Sequence, residues 1–181
     1  CMNWRVSMFK EIIELGRRLE ASDILPPPGF YYYGQPIKWL VHLWLEDSGK
    51  IHLENSEIDK PRPFCGRTSG IEAHPCVDEA GYVFGIAKQK GGGSDKKAKD
   101  KHKKFIGLLQ KASQSPLVRD KKLKSAIGIV HSKLLSKKIE KNDSFNNILN
   151  KDWVSFVFDD GHYADKHLFE HPEIQQFWQE E

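Results

Sequence analysis

Apolar residues recur along this chain with two different periods, and the switches between them outline a fold. Over residues 7–20, Phe9, Ile12, Ile13, Leu15 and Leu19 fall at spacings of three and four, while Lys10, Glu11, Glu14, Arg17 and Arg18 fill the other side. That spacing predicts a helix with a core-facing stripe. The segment ILPPPGFYYYGQP then breaks the period, because its prolines fix φ and lack donors. It predicts an ordered loop whose aromatics, Phe30 to Tyr33, either plug a core edge or stack on bases. IKWLVHLWLED alternates with period two: Ile37, Trp39, Val41, Leu43 and Leu45 share one face, with Lys38, His42 and Glu46 on the other. After the polar tetrad DSGK, IHLEN alternates again, which predicts a β-hairpin over about 37–55 with His42 and His52 outward.

Further on, VDEAGYVFGI puts Val77, Ala80, Val83 and Phe84 on one stripe and predicts a short helix ending near Gly85, with Asp78 and Glu79 in its first turn. AKQKGGGSDKKAKDKHKK is glycine and then lysine, too polar to pack, and predicts a mobile insertion tip. Two amphipathic helices are predicted behind it, divided by Ser115 and Pro116; in the second, Leu123, Ile127, Val130, Leu134 and Leu135 form the apolar side. DWVSFVFDDG is apolar on both faces, as suits a buried strand in the same sheet as the hairpin. HPEIQQFWQEE closes the chain as a short helix with Ile174, Phe177 and Trp178 inward. The sum is a single α+β domain over residues 1–181, a small antiparallel sheet with flanking helices, and a basic helical hairpin inserted at about 95–140.

At 181 residues, one domain with an ordinary core is the expected size. No apolar run approaches a membrane span, and the charged N-terminal helix lacks the core of a secretory signal, so a cytoplasmic location without a membrane partner is expected. Cys1, Cys65 and Cys76 are too few and odd in number for a disulfide framework. Charge changes the picture more. The net charge is only +3, yet residues 88–141 hold 17 basic and 4 acidic side chains, against 11 and 21 in the remainder. Such asymmetry points the basic segment at a polyanion.

Candidate chemistry is sparse. Cys65, His74 and Cys76 have C-x8-H-x-C spacing, without the close pairs that chelate zinc and without an evident fourth ligand. Asp159, Asp160, His162, Asp165, His167 and His171 could hold a metal for hydrolysis, but their spacing matches no rigid ligand pattern. GRTSG lacks the flanking glycines of a nucleophile elbow, and GGGS at 91–94 is not a P-loop. No catalytic residue, metal or cofactor is therefore assigned, and the chain is expected not to be an enzyme. What GRTSG does offer is a phosphate cradle: the Arg67 guanidinium, the Thr68 and Ser69 hydroxyls and glycine-exposed NH groups around Gly70, with His74 close behind. The cationic partners are Lys96, Lys97, Lys99, Lys101, Lys103 and Lys104 in the lysine run, and Lys121, Lys122 and Lys124 at the next helix.

The order of motifs PPPGF, KPRPF, GRTSGI, YVFGI, WVSFVFDDG and HPEIQQFW resembles the N-terminal region of the large, Csd-type subunit of type I-C CRISPR interference complexes (Cascade). The match spreads over most of the chain except the lysine-rich middle. The resemblance implies a DNA-binding subunit that is not itself a nuclease. It would recognise the short duplex motif (PAM) beside the target, stabilise opened DNA and help recruit a separate helicase-nuclease. Its implied partners are double-stranded target DNA, the crRNA-containing Cascade, the crRNA-capping subunit and the backbone subunits. Arg67, Thr68, Ser69 and Gly70 would line the loop near the motif duplex, with residues after Ile71 closest to bases. Two departures stand out. Family members often carry Asn-Phe and then Asp-Asn where this chain has His74-Pro75 and Asp78-Glu79, so either the duplex motif is expected to differ or readout is expected to lean on the minor groove and shape. The family's chain is also several times longer, so an N-terminal segment or a shortened relative is expected. The alternatives are a stand-alone basic nucleic-acid-binding module and, third, a metal-dependent hydrolase.

Overall fold

The period-two pattern at Ile37 does form a hairpin. β2 (Ile37–Trp44) pairs antiparallel with β3 (Lys50–Ile58), Val41 opposite Leu53 and Leu43 opposite Ile51. A register shift between Ile37 and Trp39 interrupts the ladder, and Ile37, Val41 and Leu43 are all buried. This is a computed structural model, and it describes residues 11–19, 26–44, 50–64, 70–88, 95–136, 143–159 and 167–180.

Among the described residues the main sheet has four strands in the order β3-β2-β6-β5, where β5 is Val77–Glu79 and β6 is Trp153–Asp159. β6 runs parallel to β2 and antiparallel to β5, so the expected antiparallel sheet contains one parallel pair at its centre. The near-continuous apolar run of β6 is what that position requires, since a strand with neighbours on both sides and cover on both faces has no solvated side. Phe156 lies against Phe105 with ring centroids 6.1 Å apart. Trp153, which alternation sends to the opposite face, meets Tyr33 and His74. A small second sheet pairs β1 (Phe30–Tyr31) with β4 (Arg62–Pro63).

The helices are α1 over 11–19, α2 (Ala80–Val83), α3 (Asp95–Gln114), α4 (Lys121–Leu135) and α5 (Pro172–Glu180). α3 and α4 form the expected hairpin, and α3 takes in the whole lysine run KKAKDKHKK. The part of the expected mobile tip over residues 95–104 is therefore helical, and residues 89–94 lie outside the described residues. Ala98 is buried, Lys101 and His102 hold β5 and α2, and Lys97, Lys99, Lys103 and Lys104 are exposed. A polar run still packs when one residue per turn is small or reaches a partner. α4 starts at Asp120, whose carboxylate accepts from the Leu123 backbone NH at 2.9 Å.

The short helix predicted from Val77 instead begins as β5 and turns helical only at Ala80. Gly81 permits this corner, because a Cβ there would lie 3.1 Å from the Asn150 carbonyl. Gly85, at φ +68°, ends α2 in the left-handed region where glycine is favoured. α1 departs from its prediction: Ile12, Ile13 and Leu15 are each more than half exposed. Amphipathic spacing specifies the helix but not what covers it.

Candidate nucleic-acid interface

The segment entering β5 is pinned from below. His74 is 1% exposed, and its Nε2 lies 3.0 Å from the Tyr33 hydroxyl. Its backbone NH donates to Asp78 Oδ2 at 2.8 Å, and the other Asp78 oxygen accepts from Glu79 NH. His74 is thus an internal brace and not the nucleic-acid contact expected of it. Asp78 serves these amides instead of a helix dipole. Around His74 the rings of Tyr33, Trp153 and Trp178 lie at centroid distances of 5.8, 5.3 and 6.4 Å.

Arg62, from the KPRPF motif, closes this stack from the inside. Its guanidinium carbon is 4.1 Å from the Trp153 ring centroid and 4.9 Å from that of Tyr33, and one nitrogen donates to the Gln35 carbonyl. Among the described residues Nε and Nη1 have no hydrogen-bond partner, and burial lowers the pKa to about 10, which still leaves the group charged at neutral pH. The charge of Asp59 opposes that shift, and the π faces add stabilisation on the order of 2 kcal/mol for a desolvated cation. Nothing in the sequence pattern marks this arginine as buried. The neighbouring tyrosines separate: Phe30 packs on Phe169 and Tyr33 on the stack, as plugs of a core edge, while Tyr31 and Tyr32 face solvent.

Above the stack, residues 70–73 run beside α3 and divide two grooves. One, of about 700 Å³, is walled by Ile71, Ala73, Lys103, Lys104 and Lys111, with Trp178 at its side. The other, of about 430 Å³, lies between Gly70, Ile71, Tyr82, Lys88, Lys97 and Lys101. Lys101 Nζ sits 3.8 Å from Glu79 and 4.6 Å from the Tyr82 ring centroid, which fixes α3 against α2. Of the residues expected to bind nucleic acid, Gly70, Lys97, Lys101, Lys103 and Lys104 are thus brought together. Lys99 is exposed on α3 but lines neither groove. Lys121 and Lys122 are exposed and Lys124 half-buried on α4, also away from both grooves. Arg67, Thr68, Ser69 and the side chain of Lys96 lie outside the described residues.

The alternative chemistry fares as follows. Burial pushes the Cys76 thiol up to about 12, so it stays protonated, and His74 is committed to Tyr33 and Asp78. Cys65, Asp160, His162 and Asp165 lie outside the described residues. His167 Nδ1 is 2.7 Å from the Ser155 hydroxyl, and His171 Nδ1 accepts from the Glu173 NH at 3.3 Å. Among the described residues, no group of three or more His, Cys, Asp or Glu could hold a metal ion. Among them also, no helix is long and apolar enough to cross a membrane.

The described residues thus define an α+β domain that presents a lysine-bearing helix beside residues 70–73. The comparison with protein families is specific: the model of the CRISPR-associated protein (Cas_Csd1) family matches residues 13–181. The chain belongs to this family, and is a CRISPR-associated protein. The match includes the lysine-rich α3 and α4 as well as the motifs on either side of them. No curated protein matches the sequence.

Proposed function

We propose that this chain is a non-catalytic, DNA-binding component of a type I-C RNA-guided interference complex, and that it reads the short duplex motif beside the target and stabilises the opened DNA. Family membership supports a place in such a complex, next to the crRNA-bearing backbone and capping subunits. The observation that carries the DNA reading is the adjacency of Gly70 and Ile71 to the lysines of α3, which puts the end of the RTSGI loop and the cationic helix on one surface. Ammonium groups supply affinity without sequence information, while donors that reach base edges supply the sequence reading. Guide pairing carries most of the sequence check in this arrangement, and the protein reads only the neighbouring base pairs. The test is binding of the assembled complex to duplexes with randomised bases beside a fixed target. A motif should be enriched, and Arg67→Ala should abolish the enrichment while leaving residual motif-independent binding. Enrichment unchanged by Arg67→Ala would remove the loop from motif reading, and failure to co-purify with a crRNA would remove the chain from the complex.

A further inference from the structure

The wider groove holds more than phosphate-binding charge. Trp178 lines it and is braced from behind by His74, at 26° between ring planes. Ile71 and Leu108 make apolar walls, and Lys103, Lys104 and Lys111 of α3 line the same groove. Glu72 and Asp100 add carboxylates to the same lining. The volume, about 700 Å³, falls within the range of roughly 300–1,000 Å³ typical of sites for small organic molecules.

In a duplex, base faces are covered by the neighbouring pairs, so an indole in a groove has no face to meet. An unpaired nucleotide does offer one, and a backbone that lysines can follow. We propose that this groove holds an unpaired nucleobase against Trp178, and that Glu72 and Asp100 favour bases carrying an exocyclic amino group. The assignment rests on the nucleic-acid reading given above and adds a subsite to it. Carboxylates only accept hydrogen bonds, so they suit the N4 amino donor of cytosine. Thymine presents its one donor between two carbonyl oxygens that repel a carboxylate. An acidic peptide, the other polyanion that lysines could draw in, would meet Glu72 and Asp100 with acceptor against acceptor.

The test uses the chain with single-stranded deoxycytidine and thymidine hexamers, read by tryptophan fluorescence and by anisotropy of labelled strands. Trp178→Phe, checked for folding by circular dichroism, identifies which tryptophan responds. The deoxycytidine hexamer should quench Trp178 and bind about threefold or more tighter than the thymidine one, and loss of the indole should weaken binding about fivefold or more. Glu72→Gln with Asp100→Asn, at exposed positions, should erase the base preference without weakening either strand. Equal binding of both hexamers would overturn the selectivity. Duplex binding with no Trp178 response to either strand would overturn the subsite and leave the duplex-reading role standing, whereas loss of both would remove both. A response to a Glu-Leu peptide alone would assign the groove to a protein partner and overturn the proposal.

Discussion

α3 and α4 are neighbours of similar composition, both amphipathic and both rich in lysine, yet their lysines have different surroundings. In α4 the side toward the core is continuous, with Leu123, Ala126, Ile127, Val130 and Leu134 all buried, and Lys121 and Lys122 ring the solvent side away from both grooves. In α3, Phe105, Ile106, Leu109 and Ala112 anchor the C-terminal half, and Lys97, Lys101, Lys103 and Lys104 of the other half line the grooves beside residues 70–73. Net charge does not distinguish the two helices. Adjacency to the braced loop does, so lysines of equal charge should differ in what they do.

The comparison can be broken first through stability. Ile127→Ala in α4 should cost about 2–5 kcal/mol of unfolding free energy by urea titration, because it leaves a cavity in a closed core. Lys104→Gln in α3 should change it by less than about 0.5 kcal/mol. Equal effects would mean that α3 is as structural as α4.

A second prediction concerns acid. Asp120, at the start of α4, shares a pocket with His167, whose pKa burial pushes down to about 4 against the opposing pull of Glu170. Between about pH 6.5 and 4 the unfolded chain binds a proton at this imidazole that the native chain refuses. Stability should therefore fall as pH drops through that window, by on the order of 3 kcal/mol from this group. Urea titrations at pH 7 and 4.5 check it, and His167→Gln should flatten the trend. The smallest stability effect sharpens the same contrast: Asp120→Ala should cost about 1 kcal/mol by removing the N-cap of α4.

Much of this arrangement is legible in the sequence. Alternation locates the hairpin, the two-faced apolar run locates β6, and the three-and-four spacing locates α4 and α5, because each pattern reports burial on a face of its own element. What pattern cannot report is which neighbour covers that face. The parallel pairing of β2 with β6 depends on the whole intervening chain, and the exposure of Ile12 and Ile13 on α1 depends on what lies beyond the helix. His74, Asp78 and Arg62 look like surface chemistry because they are polar, yet each is buried with partners distant in sequence or on the backbone: Tyr33, an amide NH, and the Trp153 ring. The lysine run misleads for a related reason, since the buried Ala98 and the Lys101 ammonium, set over the Tyr82 ring, help seat a helix whose composition reads as loop. Spacing makes Trp178 a core residue; it is one on its His74 side, and it also lines the groove.

The most direct measurement of the division between the helices is the salt dependence of duplex binding by three proteins: the natural chain, Lys103→Gln with Lys104→Gln, and Lys121→Gln with Lys122→Gln. Each phosphate that a lysine neutralises steepens the fall of log affinity with log salt by about 0.9. The α3 pair of substitutions should therefore make that slope shallower by about 1.8, and the α4 pair should leave it unchanged. An equal flattening in the α4 pair would contradict the assignment of the cationic surface to the helix beside Gly70 and Ile71.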